Sequence, residues 1–294
     1  MEISKKRVLK VPLVFVFWVG YFDTMRILAL DLSGPVVTLG VATEKEVLAE
    51  RQFAPEGRAV ALLAPEISKI LERAGLKVTG LDGFALGSGP GSFTGLKVGY
   101  AAIMGMAFDG DKPIWAYPSL TLMALTLAKS KEFSLVFGIG QKEDGSIAVK
   151  TDTGGFGLSF GLGIKAEKRP EGSPARILVL TEAKKGYFYR ALFEKTEDEI
   201  SAIEPVEAVK TEELNWPQEP VWVTGSALET HREEIVRQMR PEDRLAPKER
   251  WHPSAGVLAQ LAASGRLGKP IGNDEVLEPI FLKSFETKFK EIAH

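Results

Sequence analysis

The stretch Gly87-Ser88-Gly89-Pro90-Gly91-Ser92-Phe93-Thr94-Gly95-Leu96-Lys97-Val98-Gly99 constrains this chain more than any other. Five glycines among thirteen residues let the backbone turn at φ > 0 and let another chain or an anion approach bare N–H groups. Pro90 stiffens the middle of the turn. Residues 96–108 read as a small-residue helix, so the loop ends at unpaired amides and the positive end of a helix dipole. Familiar phosphate and nucleophile patterns do not fit it. A P-loop ends in Gly-Lys-Ser/Thr, whereas Lys97 lies between Leu96 and Val98. A dinucleotide fingerprint needs glycine where Ser92 stands, and a nucleophile elbow needs serine where Phe93 is centred between Gly91 and Gly95.

At 294 residues and 45% hydrophobic, the chain can bury one large core or two modest ones, and two is the better reading. A net charge of −2 argues against strong nucleic-acid binding by this chain alone. The absence of cysteine removes disulfides, thiolate chemistry and Cys-ligated zinc, and fits a reducing cytoplasm. His231, His252 and His294 are not spaced as a metal pair and read as surface or loop residues.

Residues 1–24 differ from the rest. Lys5, Lys6, Arg7 and Lys10 precede an apolar run over 11–22 that is too short for a membrane-spanning helix and has no small-x-small cleavage site. They read as an extension outside the fold, with a membrane-surface anchor as the alternative. An apolar strand over 26–31 ends in the turn Asp31-Leu32-Ser33-Gly34-Pro35, and strands over 36–42 and 46–53 follow. Residues 58–74 form a helix with Val60, Leu63, Ile67, Ile70, Leu71 and Ala74 on one stripe; Pro65 kinks it or marks its regular start, and Gly75 stops it. A strand over 81–86 delivers the chain to the glycine loop, at the ligand edge of an open α/β sheet.

In the helix over 96–108, Ala101 and Gly105 lie four apart, and an interior glycine costs about 1 kcal/mol relative to alanine. Close packing on the chain's own sheet would offset that cost. So would a helix–helix contact with another subunit, using Val60, Leu63, Ile67 and Ile70 together with Ala101, Ala102 and Gly105; the residues alone leave both open. Ser119 reads as the N-cap of a helix over 120–128. Residues 131–175 are glycine-rich without a helical period, and short β segments over 146–150 and 157–164 are expected there. A strand over 177–180 turns back through 182–189, where Lys184 and Lys185 either face RNA or a partner or merely make a solvated turn. A late strand over 221–224 runs into Gly225-Ser226, and a helix over 253–263 and a closing segment over 277–290 complete the chain.

The string from Gly89 to Gly99 resembles the GPGSFTG-(L/V)-R-(V/I)-G signature of the TsaB/YeaZ family, with Lys97 in place of arginine. The resemblance covers about residues 25–128 and 177–285 and is strongest at 86–99. Glu182-Ala183-Lys184 is similar to the family's Asp-Ala-Arg, and Pro279-Ile280-Phe281-Leu282-Lys283 to its Pro-x-Tyr-Leu-Arg ending. It implies a two-domain actin-like (ASKHA, ribonuclease H-like) α/β fold with mixed central sheets. The first domain would span 25–128 and the second 129–294, the latter with a glycine-rich β insertion and a last helix free to return to the first domain. In that superfamily the position of Asp31 carries a metal–phosphate aspartate and the late Gly-Ser turn meets adenosine. Asp31, Ser33, Gly225 and Ser226 are therefore candidate nucleotide or phosphate contacts. The local alternative is that Asp31 and Ser33 only hold their turn, and Leu32 stands where relatives carry threonine.

The resemblance further implies a non-catalytic cytoplasmic subunit of the machinery that forms N6-threonylcarbamoyladenosine at position 37 of tRNAs reading ANN codons. Its partners would be the transferase subunit TsaD, paired through the two helices that carry Val60, Leu63, Ile67, Ile70, Ala101, Ala102 and Gly105, and the ATPase subunit TsaE; the partners would hold ATP or ADP and a divalent metal. This chain would hold no cofactor or metal, would meet tRNA only through the complex, would have no membrane partner, and would form a homodimer when unpartnered. Two rivals remain. One is an enzyme acting alone, either a kinase-like ATPase or a peptidase-like relative, the latter short of metal ligands. The other is a simple homodimeric binding module.

Overall fold

Residues 27–30 carry no polar side chain, and a run of that kind sits where both faces of a sheet are covered. The computed structural model describes residues 25–271 apart from 109, 111, 131–132, 134, 139–164, 169–174, 185 and 197–199. In it the run becomes β1 (Ile27–Asp31), buried throughout, at the centre of a five-stranded sheet. β2 (Val37–Ala42) pairs antiparallel with β1, and β3 (Val47–Phe53) antiparallel with β2. β4 (Gly83–Gly87) lies parallel to β1 on its other side, and β5 (Ile114–Tyr117) parallel to β4. The order is β3-β2-β1-β4-β5.

Helices α1 (Ala59–Arg73) and α2 (Phe93–Ala107) cover one face of this sheet, where Leu63, Ile67, Ile70 and Ile103 pack with Leu28, Leu30 and Phe84. Pro65 sits inside α1 on its exposed side, and Gly75 at φ +68° ends that helix. α2 begins at Phe93 rather than near Leu96, because the Ser92 hydroxyl accepts the Gly95 amide at 3.2 Å and caps the helix three residues earlier than its apolar pattern suggests. The next helix, α3 (Ser119–Ala128), starts at Ser119 itself, so the sequence reading of Ser119 as an N-cap fails; its hydroxyl is engaged elsewhere.

β6 (Leu135–Gly138) and β7 (Lys165–Lys168) form a separate antiparallel pair. The segments expected over 146–150 and 157–164, the extension over 1–24 and the closing segment over 277–290 lie outside the described residues.

The second sheet repeats the plan of the first. β8 (Ala175–Glu182) pairs antiparallel with β9 (Tyr187–Lys195), parallel with β12 (Val221–Thr224), and β12 parallel with β13 (Arg244–Leu245). β10 (Ile200–Ala202) and β11 (Glu207–Lys210) both pair with β9, giving the path β10-β9-β8-β12-β13. Short helices α4 (Ala227–Thr230) and α5 (Arg232–Gln238) pack Ala227, Leu228 and Ile235 into this half's core. Two mixed sheets on one topology make the two-domain actin-like architecture that the sequence implied.

The halves are joined by exchanged helices. α3 places Leu120, Met123 and Leu127 in the core of the second sheet, whereas α6 (Ala255–Ala263) places Leu258, Ala259 and Ala262 against Ile27, Ala29 and Trp115 of the first. α6 comes so close that a Cβ on Gly40 would overlap the backbone of Ala255 and Gly256. The Glu50 carboxylate of β3 accepts the Ser254 hydroxyl at 2.6 Å and the Gly256 amide at 3.1 Å, at a helix start where free amides and the dipole favour an anion. Ser254 N–H donates to Thr126 Oγ1 of α3 at 3.0 Å, so three elements meet at one helix end. Among the described residues no helix is long and apolar enough to cross a membrane.

Gly40→Val places a branched side chain against that backbone and is expected to lower stability by about 2 to 3 kcal/mol. Thermal melting should move down by roughly 4–10 °C, and an unchanged melt would refute the contact.

Candidate functional site

The glycine loop emerges from β4 beside Asp31, and most of its glycines are accounted for by that neighbour. A Cβ on Gly87 would overlap the Asp31 carboxylate, one on Gly91 the Ser33 carbonyl, and one on Gly95 the Leu32 carbonyl. A Cβ on Gly99 would press on Leu30 and Leu32 at 3.0–3.1 Å. Gly89 stands at φ +89°, in the region that favours glycine, and precedes a cis Pro90. The loop backbone thus lies directly on the turn that follows β1.

Asp31 is wholly buried. Its Oδ1 accepts the Ser33 amide at 2.8 Å and the Ser33 hydroxyl at 2.6 Å, and its Oδ2 accepts the Ser119 hydroxyl at 2.6 Å. Ser119 Oγ in turn accepts the Gly89 amide at 3.0 Å, while Ser119 N–H donates to the Gly89 carbonyl at 2.9 Å and Ser92 N–H to the Ser33 carbonyl at 2.7 Å. Burial pushes the Asp31 carboxyl up from its ordinary value, against the bonds from Ser119 and Ser33 and the charge of His252, which pull it down. Tyr100 of α2 is pushed up to about 12, by burial first and by the nearby Asp31 charge second.

Gly225 and Ser226 belong to the second sheet. Gly225 stands at φ +122°, where a Cβ would overlap the Leu180 carbonyl, and Ser226 is buried with its hydroxyl accepting the Glu182 amide at 3.4 Å. The registers make this the counterpart of the first loop: Leu30 faces Leu86 before Gly87, and Val179 faces Thr224 before Gly225. The position matching Asp31 is therefore Leu180, apolar and fully buried.

The residues proposed as one contact face divide in two. Leu63, Ile67 and Ile70 are buried in the chain's own core, which corrects their place on a docking surface: the apolar stripe of α1 is the stripe that covers the sheet. Val60 is 71% exposed, Ala101 and Gly105 are exposed, and Ala102 is half-buried. A Cβ on Gly105 would meet no atom within 4 Å. Sequence reasoning missed Met104, 54% exposed, and Phe108, 92% exposed, which continue the same side of the helix. The spacing Phe93, Lys97, Ala101, Met104–Gly105, Phe108 was the available signal. Phe93 is half-exposed, and the Lys97 ammonium lies over its ring at 4.1 Å from the centroid. Thr94 is exposed beside a groove of about 420 Å³ lined by Leu32, Pro35, Val37, Pro55 and Ala59. The outer side of α2 is thus apolar, small at its centre and open.

His231 pairs with Glu234 at 3.2 Å, and His252, expected at the surface, is buried with Nε2 at 3.1 Å from Glu229. Among the described residues no group of three or more His, Cys, Asp or Glu could hold a metal ion.

The family model described as "TsaD: tRNA N6-adenosine threonylcarbamoyltransferase" matches residues 58–137. The tRNA threonylcarbamoyladenosine biosynthesis protein TsaB of Haemophilus influenzae is 35% identical over 102 residues, covering 35% of this chain and 43% of that protein. TsaB of Escherichia coli is 31% identical over 100 residues, covering 34% and 43%. Over this region the chain is similar to the TsaB proteins. It spans less than half the length of these curated TsaB relatives in the matched region. The solved structure of YeaZ from Pseudomonas aeruginosa superposes with a TM-score of 0.63 at 18% identity, over 88% of this chain and all of that one, and so shares the fold. The TsaD model's match over 58–137 takes in both α1 and α2 and the loop between β4 and α2.

Gly91→Ala is expected to destabilise the chain by about 2 to 3 kcal/mol, because the methyl group meets a fixed carbonyl. Gly34→Ala, with nothing within 4 Å, should change stability by less than about 0.5 kcal/mol. Denaturant melts of the two variants check this; equal midpoints would contradict the packing.

Proposed function

We propose that this chain is a non-catalytic dimerisation subunit of the complex that forms N6-threonylcarbamoyladenosine at position 37 of ANN-reading tRNAs, docking a TsaD-like transferase subunit through the outer side of α2. The observation that carries the reading is the open apolar strip of Phe93, Ala101, Met104 and Phe108 with Gly105 at its centre. Among the described residues a Cβ on Gly105 would meet no atom within 4 Å, so its cost to the helix is not offset there and would be offset by a partner approaching from outside. A small residue at the centre of a helix face is what close approach of a second helix requires. Exposed aromatic and methionine side chains around it supply the apolar anchors of a protein interface. The two TsaB matches, named for threonylcarbamoyladenosine biosynthesis, indicate the pathway.

A non-catalytic role is supported by the state of Asp31. Both of its oxygens are taken by the chain's own donors, and the matching place in the second half carries Leu180. Metal, nucleotide and group transfer are accordingly assigned to the partner subunits, TsaD-like and TsaE-like. With a net charge of −2, tRNA is met through the complex rather than by this chain alone. The reading places the protein in the cytoplasm with tRNA.

Co-purification and affinity measurement with the transferase subunit test it. Gly105→Leu and Phe108→Glu should leave the fold and melting point of the isolated chain intact and weaken the complex at least 30-fold, the effect of losing a hot spot of about 2 kcal/mol. Wild-type affinity in both variants, or ATP turnover by the purified chain that Asp31→Asn abolishes, would refute the proposal.

A further inference from the structure

We infer that Asp31 and Ser119 act as positioning residues for the docking face: the carboxylate orients the Ser119 hydroxyl, and that hydroxyl pins the Gly89 amide and with it the start of α2. The inference rests on the docking role proposed above and extends it to residues that lie wholly inside the chain.

The bridge is continuous. Ser119 Oγ donates to Asp31 Oδ2 at 2.6 Å and accepts Gly89 N–H at 3.0 Å, and the backbones of Ser119 and Gly89 join at 2.9 Å. On the other side of the loop Ser33, itself held twice by Asp31 Oδ1, accepts Ser92 N–H at 2.7 Å. Ser92 is the N-cap of α2, so the carboxylate's hold on the loop ends at the residue that fixes where the helix begins. Of the elements that bear on Asp31, its own turn and α3 engage it through hydrogen bonds, the loop is tied to it through the Ser119 hydroxyl, α2 places Tyr100 near it, and His252 adds its charge.

Folding alone does not explain a carboxylate here. The second sheet builds the same strand, glycine turn and helix around Leu180. That loop leads only into α4, four residues long with Ala227 and Leu228 buried. The loop next to Asp31 leads into a fifteen-residue helix whose outer side is open. Burying a carboxylate is costly unless each oxygen is satisfied, and this one is satisfied by groups that hold the loop. A polar network of this kind specifies one geometry, whereas an apolar contact such as that of Leu180 tolerates sliding.

Two measurements on the full chain test the inference. Amide hydrogen exchange on Ser119→Ala should accelerate Gly89 at least tenfold while Leu86 in β4 is unchanged, and affinity for the transferase subunit should fall at least tenfold without a matching drop in melting point. Asp31→Ala should behave alike if it folds. Asp31→Asn, which keeps one acceptor for Ser33 and can still bond Ser119, should recover affinity to within about threefold of wild type. Unchanged exchange at Gly89, or a loosened loop with affinity within twofold of wild type, overturns the inference. Gly105→Leu runs alongside: intact binding in that variant overturns the docking role itself, whereas weakened binding there with full binding in Ser119→Ala overturns only the positioning role.

Discussion

The contact on which the structure depends is the close approach of the loop after β4 to the turn after β1. Side chains at Gly87, Gly91 and Gly95 would each overlap atoms of Asp31, Leu32 or Ser33, so the loop can lie where it does only with glycine at these points. Glycine-rich loops at strand ends are commonly read as phosphate cradles, because bare amides are available there. Here the closest groups to three of those glycines are oxygens of the chain's own turn, and the Gly89 and Ser92 amides are spent on Ser119 and Ser33. The motif's glycine spacing is explained by packing against a neighbouring turn, whose carboxylate reaches the Gly89 amide through the Ser119 hydroxyl.

The duplication of the sheet supplies an internal comparison that sharpens this. Strand, glycine turn and helix recur in the second half with Leu180 and Gly225 in the places of Asp31 and Gly87. The fold therefore accepts an apolar residue at the position, and what distinguishes the first half is the helix that its loop launches. Exchange of α3 and α6 between the sheets ties the halves together, with Glu50 at the start of α6 and Thr126 on Ser254 as the polar fastening. Gly40 against Gly256 removes the side-chain layer that would otherwise separate helix and strand. The seam between α6 and the first sheet is thus closed by backbone contact and by the Glu50 carboxylate at the start of the helix.

Much of the fold was legible in the sequence because its signals are local. The apolar run before Asp31, the stripe of α1, Gly75 as its stop and the turn at Gly225 all sit within a few residues of their expected places. The candidate site was legible only in part. Ser119 looked like a helix cap because a serine before an apolar run usually is one; its bond to Asp31, 88 residues away, has no local signature. Leu63, Ile67 and Ile70 were placed on a docking face because a periodic apolar stripe does not say whether it faces the chain's own sheet or another subunit. The exposed strip of α2 was half seen, through Ala101 and Gly105. Phe108 was missed because it lies at the end of the helix, where it reads as a boundary.

Beyond its first turn α2 carries two glycines, and their different surroundings separate structural from external demands. Gly99 faces inward, where a methyl group would press on Leu30 and Leu32, and its cost to the helix is balanced by the closeness of helix to sheet. Gly105 faces outward into open space and receives no such return among the described residues. Both weaken the helix by a similar amount, about 0.5–1 kcal/mol relative to alanine. Only one of the two losses is therefore accounted for by folding. The other sits between Met104 and Phe108, side chains that are themselves left in water at a cost that burial against a second helix would reverse. A helix so arranged is stable enough to persist alone and incomplete enough to favour company, and the glycine marks the point of closest approach.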